Sequence, residues 1–281
     1  MSPVSADARE RFRARLEAYR LRYPSEVTPE MLGRWEIWMG AAWDIAEKAS
    51  GGAEYLEEEP LKERRRLAWK HLRGEGIEIG ALHNPLPVPE GARVHYVDNH
   101  DTAALQLLYY EVTNYKFVDV EIVDDGERLP SVPDRAYDFV ISNHFLEHCQ
   151  DPVGALASHV RVLKPGGILY CAVPDCRRSF DSARERTSFE HVWLDHREGP
   201  VRSRREHYQD WSRNVNGRSG AEHEAWWRLL DALDFSIHFH VWTSWDLLEL
   251  VSETRKRLGL PLDLKELVAY GNECVVILEK Q

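Results

Sequence analysis

From Gly76 onward, short apolar runs alternate with stretches of helical pattern, and this alternation restricts the fold more than any other feature. The runs are GIEIGA (76–81), RVHYVD (93–98), VDVEIV (118–123), YDFVIS (137–142), GILYCAV (167–173), SIHFHVW (236–242) and ECVVILE (273–279). Between them, 102–112, 151–163 and 244–258 have helical character. Runs this short suit strands, and strands that alternate with helices build βαβ units around a mainly parallel sheet. The expectation is a doubly wound α/β fold of seven strands, mostly parallel, whose last two runs pair antiparallel at one edge. The stretch 175–235 is too long for a plain crossover and reads as an inserted cap. Ahead of the sheet, residues 1–73 read as a helical extension. Thr28-Pro29-Glu30 starts a helix there, Leu32, Trp35, Met39 and Trp43 form its apolar stripe, and a charged helix spans roughly 53–72. The chain therefore divides into 1–73 and 74–281.

An open α/β sheet binds ligands beyond the carboxyl ends of its strands. The segments in that position are Glu78-Ile79-Gly80-Ala81-Leu82-His83-Asn84-Pro85, Asp98, Asp124-Asp125-Gly126-Glu127-Arg128-Leu129-Pro130 and Asn143-His144-Phe145-Leu146-Glu147-His148. An acid after the second strand suits a ribose diol, since two hydroxyl donors meet two carboxylate oxygens. An acid after the third can accept from an adenine amino group. Arg161-Val162-Leu163-Lys164-Pro165-Gly166-Gly167 forms a turn before the fifth strand that has little to do with a dinucleotide.

In the order and spacing of DDGERLP, YDFVISNHFLEH and RVLKPGGILYCAVPD, the chain resembles the class I S-adenosylmethionine-dependent methyltransferases of the type 11, ubiquinone-biosynthesis-like group. The resemblance covers about residues 74–175. It implies a Rossmann-like sheet, methyl transfer and S-adenosylmethionine as cofactor. The turn at Glu78, Gly80 and Ala81 would border the methionine part, Asp98 would hold the ribose hydroxyls, and Asp125, Gly126 and Glu127 would meet the adenine. Asn143 and His144 would lie beside the sulfonium and its methyl group. One departure is plain: that group usually carries further glycines after the first strand, and here Leu82, His83 and Asn84 follow Gly80-Ala81. A pyrophosphate needs the second glycine for close backbone approach, and a sulfonium cofactor does not, so the departure weighs more against a dinucleotide enzyme.

Methyl transfer to a hydroxyl calls for a base, and His is the commonest near neutral pH. His144 is the first candidate, with His191, His238 and His240 behind it. In a strand, His238, His240 and Trp242 share a face. The pair at i, i+2 could also ligate a metal, but a third ligand (Asp181, His191 or His207) would come only by folding, so no metal is expected. On a helix, Arg184, Thr187 and His191 would share a face. Between 177 and 205, eight Arg stand against five acids. Arg184 and Arg205, with His191, His207, Tyr208 and Trp242, are the expected acceptor contacts, the Arg forks suiting an anionic group.

Charge and cysteine usage bound the partners. The chain has 281 residues and 47 acids against 36 bases, a formal net charge of −11, which opposes general binding to nucleic acid or an anionic membrane. Four Cys without a CxxC pair, no long apolar run and no apolar leader point to a cytoplasmic protein. The expected acceptor is a small polar molecule, such as a sugar or natural-product intermediate. The competing reading is a catalytically silent binding subunit that keeps the fold.

Overall fold

The computed structural model describes residues 58–109, 115–232 and 234–281. The helices expected within residues 1–57 lie outside that range. The charged helix expected at 53–72 is α1 (Glu58–His71). Then follow β1 (Glu75–Ile79), β2 (Arg93–Asp98), α2 (Thr102–Leu108), β3 (Ile122–Val123), β4 (Tyr137–Asn143), α3 (Pro152–Val162) and β5 (Leu163–Pro174). The cap contributes α4 (Phe189–Glu198), α5 (Val201–Asp210) and α6 (Gly220–Ala232). α7 (Ser244–Leu258), β6 (Leu262–Tyr270) and β7 (Glu273–Lys280) complete the described chain.

The seven strands form one sheet in the order β3-β2-β1-β4-β5-β7-β6. β1 to β5 run parallel, and β7 inserts antiparallel between β5 and β6. Both faces are covered, and the period-2 alternation divides the side chains between them. Phe139, Ile141, Tyr170, Ala172, Val275 and Ile277 point to one face, where Leu67 and Ala68 of α1 cover them. Val140, Leu169, Cys171, Val173, Val276 and Leu278 point to the other and meet Val153, Leu156 and Val160 of α3 and Leu247, Leu250 and Val251 of α7. α1 is thus a layer of the sheet domain itself. Gly76 is required there, because a Cβ on it would stand 2.2 Å from the Phe139 ring.

Two expectations are corrected. The run 236–242 is not a strand of the sheet; beyond one isolated bridge from Trp242 to Asp175 it is extended chain. Ile237 and Phe239 fill the cap's own core with Tyr208, Trp211, Trp227 and Leu230, and the amides of Phe239 and His240 bond to the Glu147 carbonyl. The seventh strand is β6 instead, a charged edge strand whose apolar alternation at Leu262 and Leu264 breaks at a register shift before Glu266. The second correction concerns 180–191: residues 184–188 are not helical, and α4 begins at Phe189 with Ser188 as its N-cap. Arg184, Thr187 and His191 therefore do not share a helix face.

Candidate active site

The sheet reverses its order between β1 and β4, and this switch point brings the motif segments to one end. At the end of β1, Gly80 adopts φ 68° and its amide donates to the Val97 carbonyl at 2.9 Å. The buried Glu78 carboxylate accepts twice from the Leu86 amide, at 2.9 and 3.1 Å, and so holds the 82–86 loop in place. Burial pushes its carboxyl up to about 8, against the pull of the Leu86 bond. One strand over, Asp98 ends β2 and accepts from the Asn99 amide at 2.8 Å. Burial raises it to about 6, although amide bonds from Asn99 and His100 oppose the shift.

The 124–129 turn lies beneath. Asp125 is exposed and accepts from the Glu127 amide at 2.9 Å. A Cβ on Gly126 would stand 2.6 Å from Ile79 and 2.7 Å from Phe145, so this close approach needs glycine, and His159 donates through Nε2 to its carbonyl at 3.0 Å. Glu127 turns away, accepting from the amides of Gln150 and Asp151. Its carboxylate positions the entry to α3.

β4 ends in Asn143, whose amide oxygen and nitrogen are both buried without a hydrogen-bond partner. Such groups are rare because each costs its desolvation. His144 follows with φ 48°, an uncommon conformation for a side chain of this size. Its Nε2 lies 2.9 Å from Oε2 of Glu273, and its Nδ1 lies 3.6 Å from Glu147. Glu273, on β7, is buried and paired to Arg64 of α1, with Nε–Oε1 at 2.8 Å. Burial alone would raise its carboxyl, but the bonds from Arg64 and His144 prevail and hold it at about 2. Neither Arg64 nor Glu273 stood out in the sequence, because each sits in a segment that reads as plain helix or strand. Beside them, the Glu147 carboxylate is fully buried without a hydrogen bond, and burial lifts it to about 7.

The cap residues divide into two groups. His238 lies 2.7 Å through Nδ1 from Asp181, whose other oxygen accepts from Arg184 at 2.9 Å. Arg184 also bonds to Asp210 and to the His238 carbonyl. Its Nε and Nη1 are engaged inside the cap. Tyr208 donates to the Phe235 carbonyl at 2.9 Å, and Trp242 is buried against the His240 ring. Arg184, Tyr208 and Trp242 thus all make contacts within the folded chain. Arg205 is exposed over Trp227. The second group is His191, His207 and His240, which converge with Asp195. Burial keeps His240 well below the usual histidine range.

A family model described as a methyltransferase domain matches residues 74–171, about a third of the chain. No curated protein matches the chain. Among solved structures, a SAM-dependent methyltransferase from Aquifex aeolicus is 15% identical over 78% of this chain and 86% of its own, with a TM-score of 0.40. One from Methanosarcina mazei is 20% identical over 75% and 95%, with a TM-score of 0.38. The PH0226 protein from Pyrococcus horikoshii is 15% identical over 82% and 93%, at 0.44. Residues 74–171 thus match a methyltransferase domain, and the cofactor that the motif order implies is S-adenosylmethionine. The residues present fit that cofactor. The unpartnered Asn143 amide and the half-buried Asp98 carboxylate supply polar groups where the motif order puts the methionine and ribose parts.

Proposed function

We propose that the protein is an enzyme that transfers a methyl group from S-adenosylmethionine to a hydroxyl or amine of a small polar acceptor, a sugar or natural-product intermediate, with His144 as general base. The observation that carries this reading is the Arg64–Glu273–His144 relay ending beside Asn143. The cofactor supplies an electrophilic methyl on a sulfonium. Gly80, Asp98, Asp125 and Gly126 would hold its two ends, and Asn143 would orient the reacting part.

Glu273 can hold a proton on His144 Nε2, so Nδ1, 3.6 Å from the buried Glu147, is the nitrogen that would take the acceptor's proton. A carboxylate that orients an imidazole in this way is the arrangement general-base catalysis uses elsewhere. The His144 side chain is 35% exposed, so an acceptor can reach it. Its left-handed backbone is a strain of the kind that persists where surroundings enforce it. The cap, tied to the Glu147 carbonyl through the amides of Phe239 and His240, would exclude water from the transfer. A cytoplasmic, reducing setting accords with the four Cys, all free and buried, and a net charge of −11 accords with a small acceptor in place of nucleic acid. Among the described residues no helix is long and apolar enough to cross a membrane.

The test is transfer of labelled methyl to panels of sugar alcohols and amines. His144→Gln should lower kcat by roughly 10²–10⁴, a loss far larger than any change in cofactor affinity read in parallel. Normal turnover by that variant would remove the base assignment. Cofactor binding with no turnover on any panel would favour the silent binding subunit.

A further inference from the structure

Outside the methyl-transfer site, α4, α5 and the extended 236–242 segment bring together three imidazoles and one carboxylate. Nε2 of His191 lies 3.1 Å from Nε2 of His207. Oδ2 of Asp195 lies 3.1 Å from the first and 3.9 Å from the second. One nitrogen from each of His191, His207 and His240 falls within 4.8 Å of the others. Asp195 and His240 are completely buried. Neither ring nitrogen of His240 makes a hydrogen bond of normal geometry, and neither does Oδ2 of Asp195.

A hydrogen bond between His191 and His207 accounts for one pair only. It leaves a buried carboxylate oxygen and a buried imidazole unsatisfied, although buried polar groups are nearly always paired. A single cation between the three imidazoles would give the His240 ring a partner, and Oδ2 of Asp195, 3.1 Å from the His191 nitrogen, stands beside the same three groups. With bonds of about 2.0–2.1 Å, tetrahedral zinc places its ligand atoms roughly 3.3 Å apart, close to the two 3.1 Å separations and shorter than the 3.9 Å between His207 and Asp195. The donor set is three neutral imidazoles and one carboxylate, which suits zinc rather than calcium or magnesium. Asp195 is itself oriented, since its Oδ1 accepts from Arg202 at 2.9 Å. Outer partners of this sort are usual at metal sites.

We propose that His191, His207, His240 and Asp195 form a structural site for one divalent zinc-class ion, which staples cap helices α4 and α5 to the 236–242 segment. Four protein ligands close the coordination sphere, as in structural and not catalytic zinc sites. The segment is anchored in turn to the Glu147 carbonyl, so the ion would lock the cap against the turn that follows His144.

The test uses the full chain, purified and then stripped with chelator, and titrated with Zn²⁺ and Co²⁺. One Zn²⁺ per chain, visible absorption typical of tetrahedral Co²⁺, and a thermal midpoint that falls on stripping and recovers with Zn²⁺ are expected. His240→Gln should weaken Zn²⁺ binding at least 100-fold. Because that residue is wholly buried, the more accessible His191→Gln serves as the second variant, with S-adenosylhomocysteine binding read in parallel to show that it is folded. No stoichiometric metal and no tetrahedral Co²⁺ spectrum in the wild type would overturn the proposal. Binding that survives both variants would also overturn it, and would direct attention to Glu147, His148 and His238, the other converging group among the described residues.

Discussion

Replacing Asp98 with Asn tests the ribose assignment with two signatures at once. The carboxylate ends β2 and is raised by burial to about 6. The ionised form is the one that accepts from two ribose hydroxyls. With a pKa near 6, about nine-tenths of the sites are ionised at pH 7 and about one-tenth at pH 5. If only the carboxylate binds, affinity falls roughly tenfold between those two pH values. Asn keeps the shape but loses the charge and one acceptor, and hydrogen bonds to charged groups contribute about 1.5–3 kcal/mol. At 1.4 kcal/mol per decade, Asp98→Asn should weaken binding by roughly 10- to 150-fold at pH 7. The Asn variant should also bind equally at pH 5 and pH 7. Isothermal titration with S-adenosylhomocysteine, none of whose groups titrates in that interval, reads both effects. A variant with wild-type affinity, or one that keeps the wild-type pH slope, would refute the reasoning.

Gly126→Ala puts a Cβ against Ile79 and Phe145 and should destabilise the fold by about 1–3 kcal/mol in denaturant unfolding, while weakening S-adenosylhomocysteine binding through the displaced turn. Arg64→Met leaves the buried Glu273 with only His144, and should destabilise near the lower end of the ~3–5 kcal/mol typical of broken buried pairs, read as a shift in denaturant midpoint. Two substitutions should tilt the pH dependence of stability in opposite senses. Glu273 is lowered from 4.5 to about 2, so its contribution is present above pH 4.5 and lost as pH falls toward 2; Glu273→Gln should remove that acid-side loss. Glu78 is raised from 4.5 to about 8, so its burial costs stability progressively as pH rises from 4.5 to 8; Glu78→Gln should remove that alkaline-side loss, and unfolding midpoints across pH 3–9 check both.

The alternation of apolar runs and the motif order carried most of the sheet. β2 and α7 fall on the expected residues, and β1, β4, β5 and β7 lie within a few residues of theirs. Failures came where local pattern and tertiary use part company. The 236–242 run is apolar because it seals the cap core, whereas β6 is a true strand with charges along its exposed edge. Around the candidate site, Asp98, Gly126, Asn143 and His144 follow strand ends or occupy the turn after β3, positions that strand order and the motif resemblance marked together. Glu273 meets His144 across 129 positions of chain and Arg64 across 209, separations that only folding closes. The same holds for His191, His207 and His240. Their residue types were conspicuous, but their convergence depends on how α4 packs beside α5.

The central claim is that the ends of β1, β2 and β4 and the turn after β3 hold S-adenosylmethionine. Its most direct test is a crystal structure of the chain with S-adenosylhomocysteine. The ribose hydroxyls should lie on Asp98, the adenine beside Asp125 and Gly126, and the sulfur beside Asn143 and His144. Absence of the ligand at saturating concentration, or its appearance away from these strand ends, would contradict the account.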